Sequence, residues 1–296
     1  MLPEFIKKEY NFDVLSIVPA KRGYFGETWK LTTADQSYFL KLVSSVSHKP
    51  RYENSFHIIQ QINNQGIDFV SKIVKTVHGE LYTHFDSAVL GVFEWIDGEN
   101  IQNEHTKIYE YKMLGKIYTV LPAGLNIPRE DFSGKSADVF FAQCERLDNK
   151  ELLSLFYNQR EKIQHRAERL KLFANRCKSD LSKFFITHGD AGGNVLVKDK
   201  KFYLVDWDDP ILAPPERDAW FCMHWDWAMD AFHKAMRHNG IFYTLRPERL
   251  AYYCYHMFFF YLNEFLKTYF ESGEILISDY FTCWIEDNLK FADSIV

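Results

Sequence analysis

Along roughly the first third of the chain, apolar and polar positions alternate in short runs. DVLSIVP (13–19), TWKLTTA (28–34), SYFLKLV (37–43), VSKIVKT (70–76) and AVLGVFEWI (88–96) are rich in β-branched and aromatic residues and are separated by turn formers. That pattern predicts an antiparallel sheet, with one helix over 51–64 between its strands. After Asp97-Gly98 the period lengthens. Amphipathic stretches with few breakers over about 105–121, 149–180, 217–237 and 247–271 predict helices. The expected architecture is α+β and two-lobed: a small antiparallel-sheet lobe over 1–97 with a hinge at 92–98, and a larger, mainly helical lobe over 98–296.

Strand character returns once inside the helical part. NVLV, KDKK and FYLV (194–205) make an apolar run, a polar turn and a second apolar run, the pattern of a hairpin. Folding it about Lys200 places Asn194 opposite Asp206, across the ladder. Two oxygen-bearing side chains so placed suit a hard divalent cation such as Mg²⁺. Just upstream stands HGDAGGN (188–194), a histidine, an aspartate and an asparagine around two adjacent glycines.

Composition narrows the setting. The 296 residues, 47% hydrophobic, suffice for one large or two modest domains with buried cores. No apolar run approaches the roughly 18–20 residues that span a bilayer, and the start MLPEFIKKEYNFDV lacks a secretory pattern, so a cytoplasmic protein without a membrane partner is expected. Five widely spaced cysteines fit neither a disulfide framework nor a zinc site, and read as reduced thiols, mostly in the core. No basic cluster points to nucleic acid. Charge is uneven, however: Asp206 to the C-terminus carries 15 acidic and 7 basic residues, the preceding part 25 and 28. An anion-handling front and a cation-attracting back would produce such an asymmetry.

An aspartate, then an asparagine, then an aspartate behind a hairpin is what phosphoryl transfer from a nucleotide requires. One carboxylate orients the attacking hydroxyl and accepts its proton, while an asparagine and an aspartate hold the metal that neutralises the phosphates. HGDAGGN (188–194) and LVDWDDP (204–210) resemble the corresponding motifs of the aminoglycoside phosphotransferase family, small-molecule kinases with a protein-kinase-like fold. DWDDPILAPPERDAWF (206–221) is similar to the branch that phosphorylates spectinomycin. The resemblance implies Asp190 as catalytic base, Asn194 and Asp206 as metal ligands, His188 as a brace of the loop, and Asp218 as a structural acceptor tying the next segment to that loop.

It further implies Lys41 on the nucleotide phosphates, ion-paired to Glu53 of the following helix. A phosphate-covering turn with Gly23 and Gly26 is implied too, as are hinge backbone groups near Glu94 and Ile96 against a purine. The cofactors implied are ATP, with GTP not excluded, and Mg²⁺. The acceptor is a small, cationic molecule drawn to acidic residues such as Asp226, Asp230 and Glu264, with spectinomycin or an aminoglycoside foremost. Choline, homoserine and sugars are acceptors of other members, and a catalytically silent nucleotide-binding or scaffold relative is the alternative class. The loop departs from the family pattern, since three residues rather than four separate Asp190 from Asn194. The glycine pair is expected to compensate, one of them at positive φ.

Overall fold

The computed structural model describes residues 1–20, 26–46, 48–122, 124–179 and 183–296. They form two compact units, one of residues 1–128 with 185–212, the other of 129–184 with 213–296. In chain order the first opens with α1 (Leu2–Tyr10), β1 (Ser16–Pro19), β2 (Glu27–Thr32), β3 (Ser37–Val43), α2 (Lys49–Asn64), β4 (Thr83–Phe85), β5 (Ala88–Glu94), β6 (Glu99–Asn100) and α3 (Glu104–Ile117). The second unit contributes α4 (Lys135–Cys144), α5 (Lys150–Asn158) and α6 (Arg160–Lys178). The chain then returns to the first through β7 (Phe185–Thr187), β8 (Val195–Lys198), β9 (Lys201–Leu204) and β10 (Ile211–Ala213). It ends in the second with α7 (Glu216–Ala219), α8 (Asp226–His238), α9 (Pro247–Ser272) and α10 (Ile285–Asp293).

The first unit is built on a five-stranded antiparallel sheet of order β1-β2-β3-β5-β4. Alternation along β2 and β3 buries Leu31, Tyr38 and Leu40, and α1 adds Ile6 and Tyr10 to the same cluster with Leu90 and Val92. Helix α2 approaches the sheet at Gly91. A Cβ there would stand 2.3 Å from the Phe56 ring and 2.6 Å from the Tyr52 hydroxyl, so only glycine admits the helix this closely. Because Gly91 pairs with Lys41 in the β3–β5 register, the close approach lies beside that lysine.

Two strand expectations change. The 70–76 segment is not a strand: Val70 bridges Leu204 and Ile73 bridges Phe93, each singly. Backbone groups over 69–76 are divided between β5, through Val74 N–H to Val92 O at 2.9 Å, and the hairpin, where Leu204 N–H reaches Phe69 O at 2.8 Å. No single partner can then carry a ladder. The β8–β9 hairpin forms, but about a different centre. Asp199 (φ 49°) and Lys200 (φ 63°) both take left-handed conformations, as a two-residue type I′ turn demands. The register pairs Lys198 with Lys201 and Val195 with Leu204, so Val205, not Asp206, lies opposite Asn194. Val205 N–H donates to the Asn194 carbonyl at 3.0 Å, and Asp206 is the first residue beyond the ladder.

The second unit packs α4, α6 and α10 against the long α9, whose Tyr252, Tyr255, Phe258, Phe259 and Leu262 are buried. The expected 149–180 helix breaks at Gln159 (φ −104°, ψ 6°), which ends α5 and starts α6. The expected 217–237 helix also divides, because Trp225 is extended (φ −106°, ψ 125°) immediately before α8. Cys177, Cys222 and Cys254 are buried, Cys144 and Cys283 half-buried, and all five are free thiols. Among the described residues no helix is long and apolar enough to cross a membrane.

Candidate active site

The loop after β7 is organised by one buried histidine. His188, 2% exposed, accepts the Asp190 backbone N–H at Nδ1 (3.2 Å), so its proton sits on Nε2 and is donated to the Val205 carbonyl at 2.9 Å. The Trp207 ring packs edge-on against it, 4.5 Å between centroids. His188 thereby joins the two segments that carry Asp190 and Asp206.

Asp190 itself is exposed. After it the chain turns within Ala191-Gly192-Gly193-Asn194, closed by Asn194 N–H to the Ala191 carbonyl at 3.1 Å. Gly193 occupies the third position of that turn at φ +107°, where a type II geometry needs a residue without Cβ, whereas Gly192 keeps a negative-side backbone. The shortened loop thus closes through Gly193 alone. The Asn194 amide nitrogen donates to the Asp190 carbonyl at 2.5 Å and, more weakly, to Asp190 Oδ2 at 3.4 Å. Asn100 of β6 donates its side-chain amide to the Gly193 carbonyl, tying the turn to the hinge side of the unit.

The acidic segment after β9 meets Lys41. Asp206 is held at φ 65°, a left-handed conformation unfavourable for a residue with a Cβ and the kind of strain that clusters at working sites. Lys41 Nζ, 4% exposed, donates to Asp206 Oδ1 at 2.7 Å and to Asp208 Oδ2 at 2.5 Å. Between the two acids the buried Trp207 anchors the segment through Nε1–H to the Leu204 carbonyl at 3.0 Å. Arg51, in the first turn of α2, pairs with Asp209 at 3.0 Å. The ion pair implied between Lys41 and Glu53 is not formed: Glu53 Oε1 meets His84 Nε2 of β4 at 3.0 Å.

Two carboxylates share one ammonium, and their proton affinities separate. Burial pushes the Asp208 carboxyl up to about 7, reinforced by the neighbouring negative charge of Asp206. Burial acts upward on Asp206 too, but the Lys41 charge and hydrogen bond outweigh it and hold that group low. For Lys41, desolvation pulls downward and the two carboxylates more than reverse it, so it stays protonated. The cluster is anionic in excess of Lys41 when both acids are ionised.

That donor set fits a divalent cation of the Mg²⁺ type. Asp206 and Asn194 offer hard oxygens, and the Asp206 side chain is 38% exposed, open to a partner besides Lys41. Among the described residues no group of three His, Cys, Asp or Glu side chains is placed to hold a metal ion.

Of the two glycines expected in a phosphate-covering turn, Gly23 lies outside the described residues. Gly26 adopts φ +90°, and a Cβ on it would stand 2.4 Å from the Leu42 carbonyl. In the segment expected to form the hinge, Glu94 N–H is used by the Lys72 carbonyl at 2.9 Å, while Ile96 N–H makes no hydrogen bond among the described residues. Trp95 packs under Lys30 Nζ (4.5 Å to its ring centroid) and donates to Asp97 at 3.3 Å. In the second unit, Asp218 is buried in α7, Asp226 and Asp230 are exposed one turn apart on α8, and Glu264 is half-buried on α9.

A family model described as the phosphotransferase enzyme family, APH, matches residues 16–253. The chain belongs to that family. No curated protein sequence matches this phosphotransferase. Among solved structures it is similar to spectinomycin phosphotransferase APH(9)-Ia in complex with ADP and spectinomycin. The two share 18% identity and a TM-score of 0.78, over 99% of this chain and 97% of that one. It is also similar to the amicoumacin kinase hAmiN in complex with AMP-PNP, Ca²⁺ and Ami (13% identity, TM-score 0.69, 100% and 93% covered). Choline kinase from Cryptosporidium parvum Iowa II matches at 10% identity and a TM-score of 0.60, over 99% and 94%. The fold of the phosphotransferase is α+β and protein-kinase-like.

Four participants escape a reading by motif. Asp208 follows Asp206 by two residues, a spacing that points side chains to one side of an extended chain, and this was the available signal. The Val205 carbonyl, as a backbone group, leaves no trace in residue types. Arg51 and Asp209 are 158 residues apart, and nothing in either neighbourhood announces the pair.

Proposed function

We propose that this phosphotransferase moves the γ-phosphate of ATP to a hydroxyl of a small cationic acceptor, with spectinomycin or an aminoglycoside as the leading class. The observation that carries the reading is the Lys41–Asp206–Asp208 cluster, tied through Val205 and His188 to the loop that presents Asp190. In this reading the sheet-bearing segment 1–97 binds nucleotide and 98–296 supplies catalytic loop and acceptor site.

Each residue then has a defined task. Asp190, exposed at the loop and positioned by the neutral His188, accepts the proton of the attacking hydroxyl. Lys41 offers its ammonium to the phosphates, and Ile96 its unused N–H to a purine edge. Asp206 and Asn194 would hold Mg²⁺, which when bound offsets the charge that accumulates on the phosphate oxygens. The exposed Asp226 and Asp230 attract a positively charged acceptor over a range set by ionic strength.

ATP consumption measured with a panel of acceptors tests the proposal: spectinomycin, aminoglycosides, choline, homoserine and neutral sugars. Turnover is expected with amine-bearing alcohols and should decline as salt rises. Turnover confined to neutral sugars removes the cationic acceptor but keeps the kinase. Nucleotide binding without any acceptor turnover supports a silent relative instead.

A further inference from the structure

We propose that Asp208, rather than a glutamate of α2, is the carboxylate that holds Lys41 in place to meet the nucleotide phosphates. The proposal rests on the phosphotransferase reading above and assigns a positioning residue within it.

An ammonium that is 4% exposed must find its hydrogen-bond acceptors within the protein rather than in water. Three carboxylates are within the neighbourhood by chain position, and two are unsuited. Glu53 is committed to His84 at 3.0 Å. The reason lies in α2: Tyr52 and Phe56, four residues apart, fill the helix face over the paired Lys41 and Gly91, and the Tyr52 hydroxyl reaches the Lys41 carbonyl at 3.4 Å. Glu53 is rotated about 100° away from Tyr52 around the helix. The aromatic face leaves the carboxylate to point at β4.

Asp206 does contact Lys41, yet it is the more exposed of the two acids, 38% against 22%. As the proposed metal ligand it must share its oxygens. In this proposal Asp208 is not a metal ligand. It stands on the far side of the buried Trp207, whose indole N–H is pinned to the Leu204 carbonyl, and just before Asp209, which Arg51 of α2 grips at 3.0 Å. These two contacts flank Asp208 on either side. Lys ammonium has three N–H bonds. With Asp208 holding one, the others can reach phosphate when Asp206 turns to metal. The geometry points to an exchange of duties between loop and helix: α2 supplies a cation, Arg51, to the acidic segment, and that segment supplies the carboxylate to Lys41.

The test compares affinities for AMP-PNP with Mg²⁺ and for adenosine, by calorimetry, in the wild type and in Asp208→Asn, Asp208→Glu, Glu53→Gln, Lys41→Met and the Lys41→Met/Asp208→Asn double variant. Asp208→Asn should weaken AMP-PNP by about tenfold, the order expected for a hydrogen bond to a charged group, and leave adenosine affinity unchanged. Asp208→Glu should recover part of the loss, and Glu53→Gln should change AMP-PNP affinity less than about twofold. In the Lys41→Met background Asp208→Asn should have no further effect. Tighter AMP-PNP binding by Asp208→Asn would mark Asp208 as a competitor of phosphate and overturn the proposal. So would an undiminished effect in the Lys41→Met background, or a loss in Glu53→Gln equal to that in Asp208→Asn.

Lysine side-chain ¹⁵N NMR of the nucleotide-free protein separates this proposal from the reading beneath it. The signal absent in Lys41→Met should shift in Asp208→Asn and not in Glu53→Gln. A wild type that fails to bind AMP-PNP overturns the phosphotransferase reading while that NMR signal still decides the pairing. An unmoved signal in Asp208→Asn overturns the pairing itself.

Discussion

His188 donates its Nε2 proton to the Val205 carbonyl at 2.9 Å and receives the Asp190 N–H on its other nitrogen. One imidazole therefore satisfies two backbone groups on segments separated in sequence, and its neutral form is the one that does so. Asp190 follows from β7, and Asp206 from the residue that His188 holds. This ring links the segment of Asp190 to the segment of Asp206.

Replacing His188 with phenylalanine keeps the packing against Trp207 but leaves the Val205 carbonyl and the Asp190 N–H without that partner. The loss should be about 2 kcal/mol of unfolding free energy in urea, the order for stranding buried polar groups. Phosphoryl transfer should fall further than stability does, because the segments of Asp190 and Asp206, both proposed to serve the reaction, lose their common support. A variant with unchanged activity would show that the loop holds its geometry without the histidine.

The shortened loop separates the two glycines. Gly193→Ala places a Cβ at φ +107°, and the nearest atom, Gln102 Nε2 at 3.7 Å, is no obstacle, so the cost is backbone strain of about 1 kcal/mol. Gly192→Ala meets no such strain. Activity should drop in Gly193→Ala through displacement of Asn194, and stay near wild type in Gly192→Ala. Equal losses in both would contradict the turn assignment.

The second unit carries a pH dependence of its own. Glu216, fully buried, has its carboxyl pushed up to about 7 by desolvation, against the opposing hydrogen bond from Arg246 N–H and the charge of Arg249. An acid whose folded value lies above its unfolded one imposes no penalty below about 4.5, and a growing one as pH rises to about 7. The folded protein should therefore lose up to about 3 kcal/mol of stability between about pH 5 and pH 8 from this group alone. Thermal unfolding of Glu216→Gln across that range should show a flatter profile, with a higher midpoint than wild type at the alkaline end. An identical slope in both proteins would mean that Glu216 is ionised throughout.

Sequence pattern located β1, β2, β3, β5, α2 and α9 because runs of β-branched, aromatic and other apolar residues mark them, whether they are buried on both faces, as in β5, or largely exposed, as in β1. It failed at 70–76, where apolar residues bridge two different partners, and at Gln159 and Trp225, where a backbone bend interrupts an uninterrupted apolar stripe. The site shows the same division. Asp190, Asn194, Asp206 and Lys41 are announced by residue type and order. The partner of Lys41 is not, because which carboxylate it meets depends on Tyr52 and Phe56 filling a helix face beside Gly91. The one-residue shift that brings Val205 opposite Asn194 depends on two left-handed residues, Asp199 and Lys200, neither of them glycine.

The direct test of phosphoryl transfer is ³¹P NMR of a reaction containing the protein, ATP, Mg²⁺ and an acceptor that supports turnover, run with wild type and Asp190→Ala. The wild type should produce a new phosphomonoester signal at the rate the γ-phosphate of ATP disappears, with ADP as co-product. Asp190→Ala should retain AMP-PNP affinity and slow ester formation by about a hundredfold or more, as removal of a general base requires. Ester formation at the wild-type rate in Asp190→Ala, or release of inorganic phosphate alone by the wild type, would contradict the account.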